Sequence, residues 1–184
     1  MTMHKPQPAD PHPSADELIS LLGLEPLPEE GGFYRETFRS ARQLPEGSMG
    51  TEYAGSRNAL TAIYFLVTPA SPSAWHVLPS DEVFLWHAGS PVEMLRLPPN
   101  GPANPITLGV DLAAGQRPQS VVPGNVWQGC RLADGADPGW ALLSCLVAPG
   151  FDFADFRVAT PAEVAELTQR FPDLADEIAR LAPR

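Results

Sequence analysis

The segment 73–89 brings together the polar and aromatic side chains with the clearest potential for chemistry. It contains His76 and Glu82 and ends at Gly89. Neutral imidazole and carboxylate groups both bind divalent metal ions, and both transfer protons. The pair predicts a site that uses either a bound metal or acid–base chemistry. The alternative is a buried hydrogen-bonded pair with a structural role.

Strand geometry decides which side chains can share a cavity with this pair. Successive side chains of a strand point to opposite faces, so Glu82, Phe84 and Trp86 share one face while His87 lies on the other. If Glu82 points into a cavity, His87 is a surface or interface residue. The rings of Phe84, Trp86 and Trp127 predict either core packing or a wall that stacks on a planar ligand.

A second polar group follows the turn that Gly31 and Gly32 favour. Tyr34 and Arg35 come directly after this turn, in a pattern that alternates as a strand does. An arginine inside a cavity holds a carboxylate or phosphate through two parallel hydrogen bonds. The functional hypothesis places Tyr34 or Arg35 in the cavity, and the alternative is a solvated hairpin edge.

The charge balance excludes several classes of partner. The sequence has 12 basic and 22 acidic residues, which give a formal net charge of −10, and it has no cluster of Lys or Arg. We therefore expect no binding to nucleic acid or anionic membranes. No apolar run approaches the roughly 20 residues that span a bilayer, and the polar, proline-rich start is unlike a signal peptide. A cytoplasmic protein is predicted.

Signatures of other chemistries are absent from the sequence. It contains no G-x-S-x-G, no G-x-x-x-x-G-K-[ST], no G-x-G-x-x-G and no H-E-x-x-H. Cys130 and Cys145 are the two cysteines, and they lack the C-x-x-C spacing of zinc and redox sites. They are predicted to be small core residues.

The elements that must position these residues are mostly strands. A chain of 184 residues fits one domain with a sizeable core, and its 22 prolines and 15 glycines indicate many turns. β-Branched and aromatic runs separated by turn residues predict an all-β sandwich or barrel. The predicted strands are 32–40, 60–68, 74–78, 83–87, 92–97, 105–108, 119–122, 126–128, 140–147 and 153–158, with a loop over 44–57.

Short helices are predicted on both sides of the strands. Ser14 is a suitable N-cap for a helix that Gly23 ends. Thr160 and Glu163 form a capping-box pattern with a proline between them, and a last helix follows at 174–181. We expect a flexible N-terminal segment over 1–13, in which His4 and His12 have no role, and a single domain over 14–184.

Two motifs resemble those of the cupin superfamily. The first cupin motif contains two histidines, a glutamate and a glycine at fixed spacing; His76, Glu82 and Gly89 match it, and Leu78 stands in place of the second histidine. In the second motif, Pro123 matches, Asn125 replaces a glycine and Gln128 replaces a histidine. The resemblance implies a divalent metal site at His76 and Glu82, with Gln128 as a poor third ligand.

More specifically, the sequence is similar to the fifth cupin family from about residue 16 to the end. Several phrases typical of that family occur here in order. They are 28–37 (PEEGGFYRET), 61–66 (TAIYFL), 75–76 (WH), 81–82 (DE), 108–109 (LG), 122–123 (VP), 127–128 (WQ) and 147–153 (VAPGFDF).

The resemblance implies a fold and an assembly, but it does not imply an activity. The implied fold is all-β, a cupin-type double-stranded β-helix (jelly-roll) barrel with short flanking α-helices and a cavity open at one end. The implied assembly is a homodimer. The cavity is expected to bind a small molecule.

Three functions remain open from the sequence, beside a purely structural role for the dimer. The first is a metal-independent isomerase or epimerase in which His76 is the base and Tyr34 or Tyr64 the acid. The second is a metal-dependent enzyme that uses His76, Glu82 and Gln128. The third is a binding protein without turnover. The residues predicted to contact the ligand are Arg35, Tyr64, Phe84, Trp86, Trp127 and Gln128.

Overall fold

The computed structural model describes residues 12–183. The predicted flexible segment over 1–13 therefore falls almost wholly outside the described residues, as does His4. The last two residues of that segment lie against Trp140. Its indole nitrogen donates a hydrogen bond of 2.8 Å to the carbonyl oxygen of Pro13, and the His12 ring lies edge-on to it at a centroid distance of 6.5 Å.

The described chain consists mainly of strands. They are β1 (Glu25–Pro26), β2 (Phe33–Arg39), β3 (Gln43–Leu44), β4 (Arg57–Asn58), β5 (Thr61–Val67), β6 (Ser73–Val77), β7 (Asp81–Gly89), β8 (Val92–Leu97), β9 (Ile106–Leu108), β10 (Gln119–Val122), β11 (Trp127–Leu132), β12 (Ala141–Ala148) and β13 (Arg157–Val158). The helices are α1 (Ala15–Leu22), α2 (Pro161–Arg170) and α3 (Ala175–Arg180), with a 3₁₀ turn at Pro172–Leu174.

The strands form two main antiparallel sheets. One has the order β1-β2-β5-β12-β7-β10 and the other the order β13-β6-β11-β8-β9, while β3 and β4 pair separately. Fully buried side chains from both sheets pack together between them, including Phe65 and Leu143 from the first and Met94 and Cys130 from the second. The order of strands along the chain alternates between the sheets, as in the predicted jelly roll.

The helix boundaries follow from the predicted caps. The Ser14 hydroxyl accepts a hydrogen bond from the backbone N–H of Glu17, and Gly23 ends α1 in the left-handed conformation at φ 60°. Thr160 and Glu163 form the second capping box. Both predictions are confirmed, and α3 lies within the range expected for the last helix.

Three of the predicted segments were wrong in extent. The strand predicted over 153–158 exists only as the short β13, because residues 151–156 form a turn. The strand predicted over 126–128 is twice as long in the structure, where β11 pairs with β8 as far as Leu132. The loop predicted over 44–57 contains ends of β3 and β4.

The C-terminal helices cover the outer face of the five-stranded sheet. Ile178 and Leu181 pack against Trp75 of β6, whose indole nitrogen donates to the carbonyl oxygen of Ile178 at 2.9 Å. Both faces of β6 are thus buried. Among residues 12–183, no helix is both long enough and apolar enough to cross a membrane.

Candidate functional site

A cavity of about 300 Å³ opens between the inner face of the six-stranded sheet, β6 and the turn at 151–156. Its walls are mainly apolar and aromatic, with Phe65 from β5 and Phe151, Phe153 and Phe156 from the turn. The buried polar residues Glu30, His76 and Glu82 also line it. An enclosed apolar space with a few converging polar groups is typical of a small-molecule site.

His76 lies between two carboxyl groups. Its Nδ1 is 3.8 Å from Oε1 of Glu30, and its Nε2 is 3.9 Å from Oε2 of Glu82. Nδ1 is also 2.9 Å from the carbonyl oxygen of Ala74, which can only accept a hydrogen bond, so Nδ1 carries a proton. Nε2 is therefore the nitrogen at which the ring gains and loses its other proton.

The two carboxyl groups raise the pKa of His76. Burial by itself lowers this pKa, because desolvation penalises the charged ring. Attraction to Glu30 and interactions with Glu82 outweigh burial, and the pKa rises to about 9. The ring is therefore an imidazolium at neutral pH.

Glu30 is the second buried ionisable group of the site. The hydroxyl of Ser73 donates a hydrogen bond of 2.7 Å to its Oε1. Burial raises the pKa of the Glu30 carboxyl, while attraction to His76 and the Ser73 hydrogen bond oppose the shift and repulsion from Glu82 adds to it. A carboxyl group in this setting is a stronger base than an exposed one.

Glu82 is held by Gln128 of the opposite sheet. The amide nitrogen of Gln128 donates a hydrogen bond of 2.6 Å to Oε2 of Glu82, and both side chains are buried. The amide oxygen of Gln128 is buried without a hydrogen-bond partner among the described residues. Glu82 is on the inner face, and His87, which alternation places on the opposite face, is exposed with its Nε2 at 2.7 Å from the Ser144 hydroxyl.

Arg39 and Glu36 line the outer part of the cavity. The guanidinium makes two hydrogen bonds to the Glu36 carboxylate, at 2.6 and 2.9 Å. It also donates to the side chain of Asn58 and to the carbonyl oxygen of Phe151. Arg39 therefore links β2 to the aromatic turn.

The aromatic turn is held in place by a buried ion pair. Arg57 makes two hydrogen bonds of 2.6 and 2.7 Å to Asp155, and the two side chains are only 6% and 4% exposed. The rings of Phe151, Phe153 and Phe156 pack against one another at centroid distances of 5.0 to 6.3 Å. The turn therefore closes one side of the cavity as an ordered wall.

Of the two β2 residues predicted to reach the cavity, only Tyr34 lines it. Arg35 lies on the outer face of β2, where its guanidinium donates a hydrogen bond of 2.7 Å to the carbonyl oxygen of Leu22 at the end of α1. Tyr64 pairs with Arg35 across the strands and packs in the cluster beneath α1 that contains Leu18. The cavity locations predicted for Arg35 and Tyr64 were therefore wrong.

The three predicted ring contacts with a ligand also lie elsewhere. Phe84 and Trp86 belong to the core between the sheets, and the Trp86 indole nitrogen donates to the carbonyl oxygen of Ser90. Trp127 packs towards the C-terminal helices, and the Arg157 guanidinium lies over its ring at 4.8 Å. For these rings the structure agrees with the packing alternative.

The residues present do not fit the divalent metal site that the cupin resemblance implies. Leu78, at the position of the second motif histidine, lines the cavity without a donor atom. Gln128 uses its amide N–H group for Glu82 and could offer a metal only its neutral amide oxygen, in place of the imidazole of the motif histidine. Among residues 12–183, no three His, Cys, Asp or Glu side chains are arranged to hold a metal ion.

Sequence reasoning missed Glu30 and the aromatic turn as parts of the site. The segment 28–32 was interpreted only as a turn, although it belongs to the longest phrase of the family resemblance. The segment 153–158 was interpreted as a strand because its aromatic residues are typical of strands. Both segments lie far from His76 in sequence, and only the tertiary structure brings them together.

Comparison with known proteins agrees with the fold. The profile of the family described as Cupin superfamily (DUF985) matches residues 16–159. A hypothetical protein from Leishmania major is 34% identical and superposes with a TM-score of 0.80, over 94% of this chain and all of that one.

Two further proteins, one from yeast and one from a bacterium, are also similar to this chain. The uncharacterized protein YML079W of Saccharomyces cerevisiae is 34% identical over 134 residues, which are 68% of this chain and 66%, just under two thirds, of the yeast protein. A cupin-2 domain protein of Rhodospirillum rubrum is 14% identical with a TM-score of 0.53, over 86% of this chain and 89% of that one, and it shows the fold alone. Sequence, fold and relatives agree, and the chain belongs to the DUF985 family of the cupin superfamily.

Proposed function

We propose that this cupin binds a small molecule in the cavity and catalyses proton transfer on it without a metal, as isomerases and epimerases do. One observation carries the proposal: His76 lies between the carboxyl groups of Glu30 and Glu82 at the end of an aromatic-lined cavity. Acid and base groups with raised pKa values that line one cavity are what such a reaction requires.

The directions of the pKa shifts support one division of roles. Because the pKa of His76 is raised to about 9, its imidazolium is a general acid at neutral pH, and not the base that the sequence suggested. Burial raises the pKa of Glu30, so its ionised form is the better base. Tyr34 lines the same space and supplies a hydroxyl donor for the ligand. Glu82, 3.9 Å from Nε2, raises the pKa of His76 and so favours the protonated ring.

Solvent exchange tests this chemistry directly. A panel of small carbonyl compounds is incubated with the protein in D₂O, and the loss of the proton next to the carbonyl is followed by NMR. We expect exchange with at least one compound, with loss of about 10² or more of the rate in Glu30→Gln and in His76→Gln. The matched control is Glu93→Gln, on β8 outside the cavity, which should keep the full rate.

Chelation separates this proposal from the metal-dependent alternative. Exchange that continues at the same rate after EDTA treatment supports proton transfer by side chains. Exchange that EDTA abolishes and a divalent ion restores would show that the metal-dependent function is correct.

Ligand binding without turnover is the second candidate. It is favoured by the mainly apolar lining of the cavity, which provides binding surface without taking part in proton transfer. Binding of a compound in the cavity, together with no solvent exchange for any member of the panel, would establish it. The homodimer and the cytoplasmic location stay predictions, and light scattering on the full chain tests the first of them.

A further inference from the structure

We infer that the ligand of this cavity is an organic cation, an ammonium group attached to a small apolar or aromatic body. The inference rests on the proposed small-molecule site and specifies the chemical class that it takes. It is argued from the charges, the hydrogen-bond donors and the rings of the lining.

Carboxyl groups outnumber basic groups in the lining. The acidic residues among the described lining residues are Glu30, Glu36, Glu82 and Asp152, and the basic ones are Arg39 and His76. With every carboxyl group ionised and His76 protonated, the lining carries four negative and two positive charges. When the buried Glu30 also holds a proton, three negative and two positive charges remain. A ligand of positive charge therefore lowers the electrostatic energy of the site, and an anion raises it.

The strongest donors of the lining, the Arg39 guanidinium and Nδ1 of His76, are already in use. Arg39 donates from Nε, Nη1 and Nη2 to Glu36, Asn58 and Phe151. Nδ1 of His76 is engaged with the carbonyl oxygen of Ala74. An anionic ligand could use Arg39 or Nδ1 of His76 only by breaking these contacts. Acceptors, by contrast, are in excess, because the amide oxygen of Gln128 beside Glu82 is buried without a donor among the described residues.

The aromatic wall adds an attraction that is specific for cations. Phe151, Phe153 and Phe156 lie on one side of the cavity, and Phe65 lines another part of it. Ring faces carry negative electrostatic potential and attract ammonium groups, most strongly where water is excluded. Phe156 also lies 5.5 Å from the His76 ring, so the wall extends to the buried carboxyl groups.

Three compounds of one shape and different charge test the inference. Benzylamine, benzyl alcohol and benzoate each fit a cavity of about 300 Å³, and the amine is cationic at neutral pH. Their dissociation constants for the wild-type protein are measured by NMR titration. We expect benzylamine to bind about tenfold more tightly than benzyl alcohol and benzoate to bind most weakly. Equal affinities, preference for benzoate, or no binding by any of the three would overturn the inference.

Variants of the two buried glutamates test whether their carboxyl groups attract the cation. Glu82→Gln and Glu30→Gln should each weaken benzylamine about tenfold or more and change the affinity for benzyl alcohol by less than about threefold. Glu93→Gln is the matched control and should change neither. If the variants leave the preference for benzylamine intact, the buried carboxyl groups are not its cause and the inference fails.

A fourth probe distinguishes the two sources of attraction. Benzyltrimethylammonium has no N–H donors, so its binding depends on charge and on the ring faces. Retained affinity shows recognition by the aromatic wall, and reduced affinity relative to benzylamine shows hydrogen bonding to the carboxylates; both agree with a cation site. The titrations detect binding alone, so the absence of solvent exchange would defeat the proton-transfer function and leave this inference standing.

Discussion

His76 is stabilised in its charged form by the folded protein, and this makes stability depend on pH. Its pKa is raised from 6.5 to about 9 by Glu30 and Glu82 against the opposing effect of burial. Between these two values the folded state binds more protons than the unfolded state. The stabilisation is therefore complete below about pH 6.5 and is lost as the pH rises through about 9.

The predicted result is a fall in the free energy of unfolding of the wild type from pH 6.5 to pH 9, by at most about 3 kcal/mol. Urea titrations at several pH values measure it. His76→Gln lacks the titrating group and should give a flatter curve over the same range. Parallel curves for the two proteins would show that His76 has an ordinary pKa.

Gln128 is predicted to stabilise the protein through Glu82. In Gln128→Leu the buried carboxylate loses its donor at 2.6 Å, and the unpaired group should cost about 1–3 kcal/mol at neutral pH. Urea unfolding checks this, with Gln119→Leu, at an exposed position of β10, as the control expected to stay within about 0.5 kcal/mol. A leucine variant as stable as the wild type would mean that the bond contributes nothing.

At the residue level, the sequence predicted the centre of the site better than its surroundings. Alternation along one strand was enough to put Glu82 and His87 on opposite faces. It did not place Arg35, because alternation separates two faces without stating which of them is the inner one. Glu30 escaped prediction because a turn with two glycines has no periodic pattern that gives the direction of a side chain.

At the level of elements, a β-bulge explains why Arg39 and not Arg35 lines the cavity. Strict alternation would put the two arginines on the same face of β2. The pairing of β2 with β5 shifts between Glu36 and Phe38, so the residues after the bulge change faces. Arg39 joins Glu36 in the cavity, and Phe38 becomes 51% exposed. A bulge depends on the pairing with the partner strand. No residue type in 36–38 indicates it, so the sequence alone could not predict that the faces change.

The aromatic turn is predicted to depend on the ion pair between Arg57 and Asp155. Arg57→Met leaves a buried carboxylate without its partner and should cost about 3–5 kcal/mol in urea unfolding. The double variant Arg57→Met with Asp155→Leu removes both charges and should recover part of this loss. Arg131→Met breaks more exposed pairs with Glu93 and Asp134 and is the control, expected to cost about 1 kcal/mol or less for those pairs. Equal losses in the two single variants would contradict the role of burial.

For the whole molecule, the position of the site depends on elements that pack on opposite sides of β6. His76 points towards the cavity, while the neighbouring Trp75 points to the C-terminal helices and is fully buried. The backbone N–H of Trp75 donates to Leu181, and its carbonyl oxygen accepts from Ala159. The fold class and the capped helices were predictable because they rest on local patterns. The packing of the C-terminal helices on β6 was not predictable, because α3 and β6 are about 100 residues apart in sequence.

Ile178 tests this dependence, because its side chain is fully buried between α3 and Trp75. Ile178→Ala should cost about 2–5 kcal/mol, from lost burial and the cavity left behind. Since Trp75 then loses a packing partner, its fluorescence should also change in the folded state. Val110→Ala, at a position 63% exposed, is the control and should change neither quantity. A variant that loses stability without a spectral change would show that α3 stabilises the protein without fixing β6, and the position of His76 would then depend on the sheets alone.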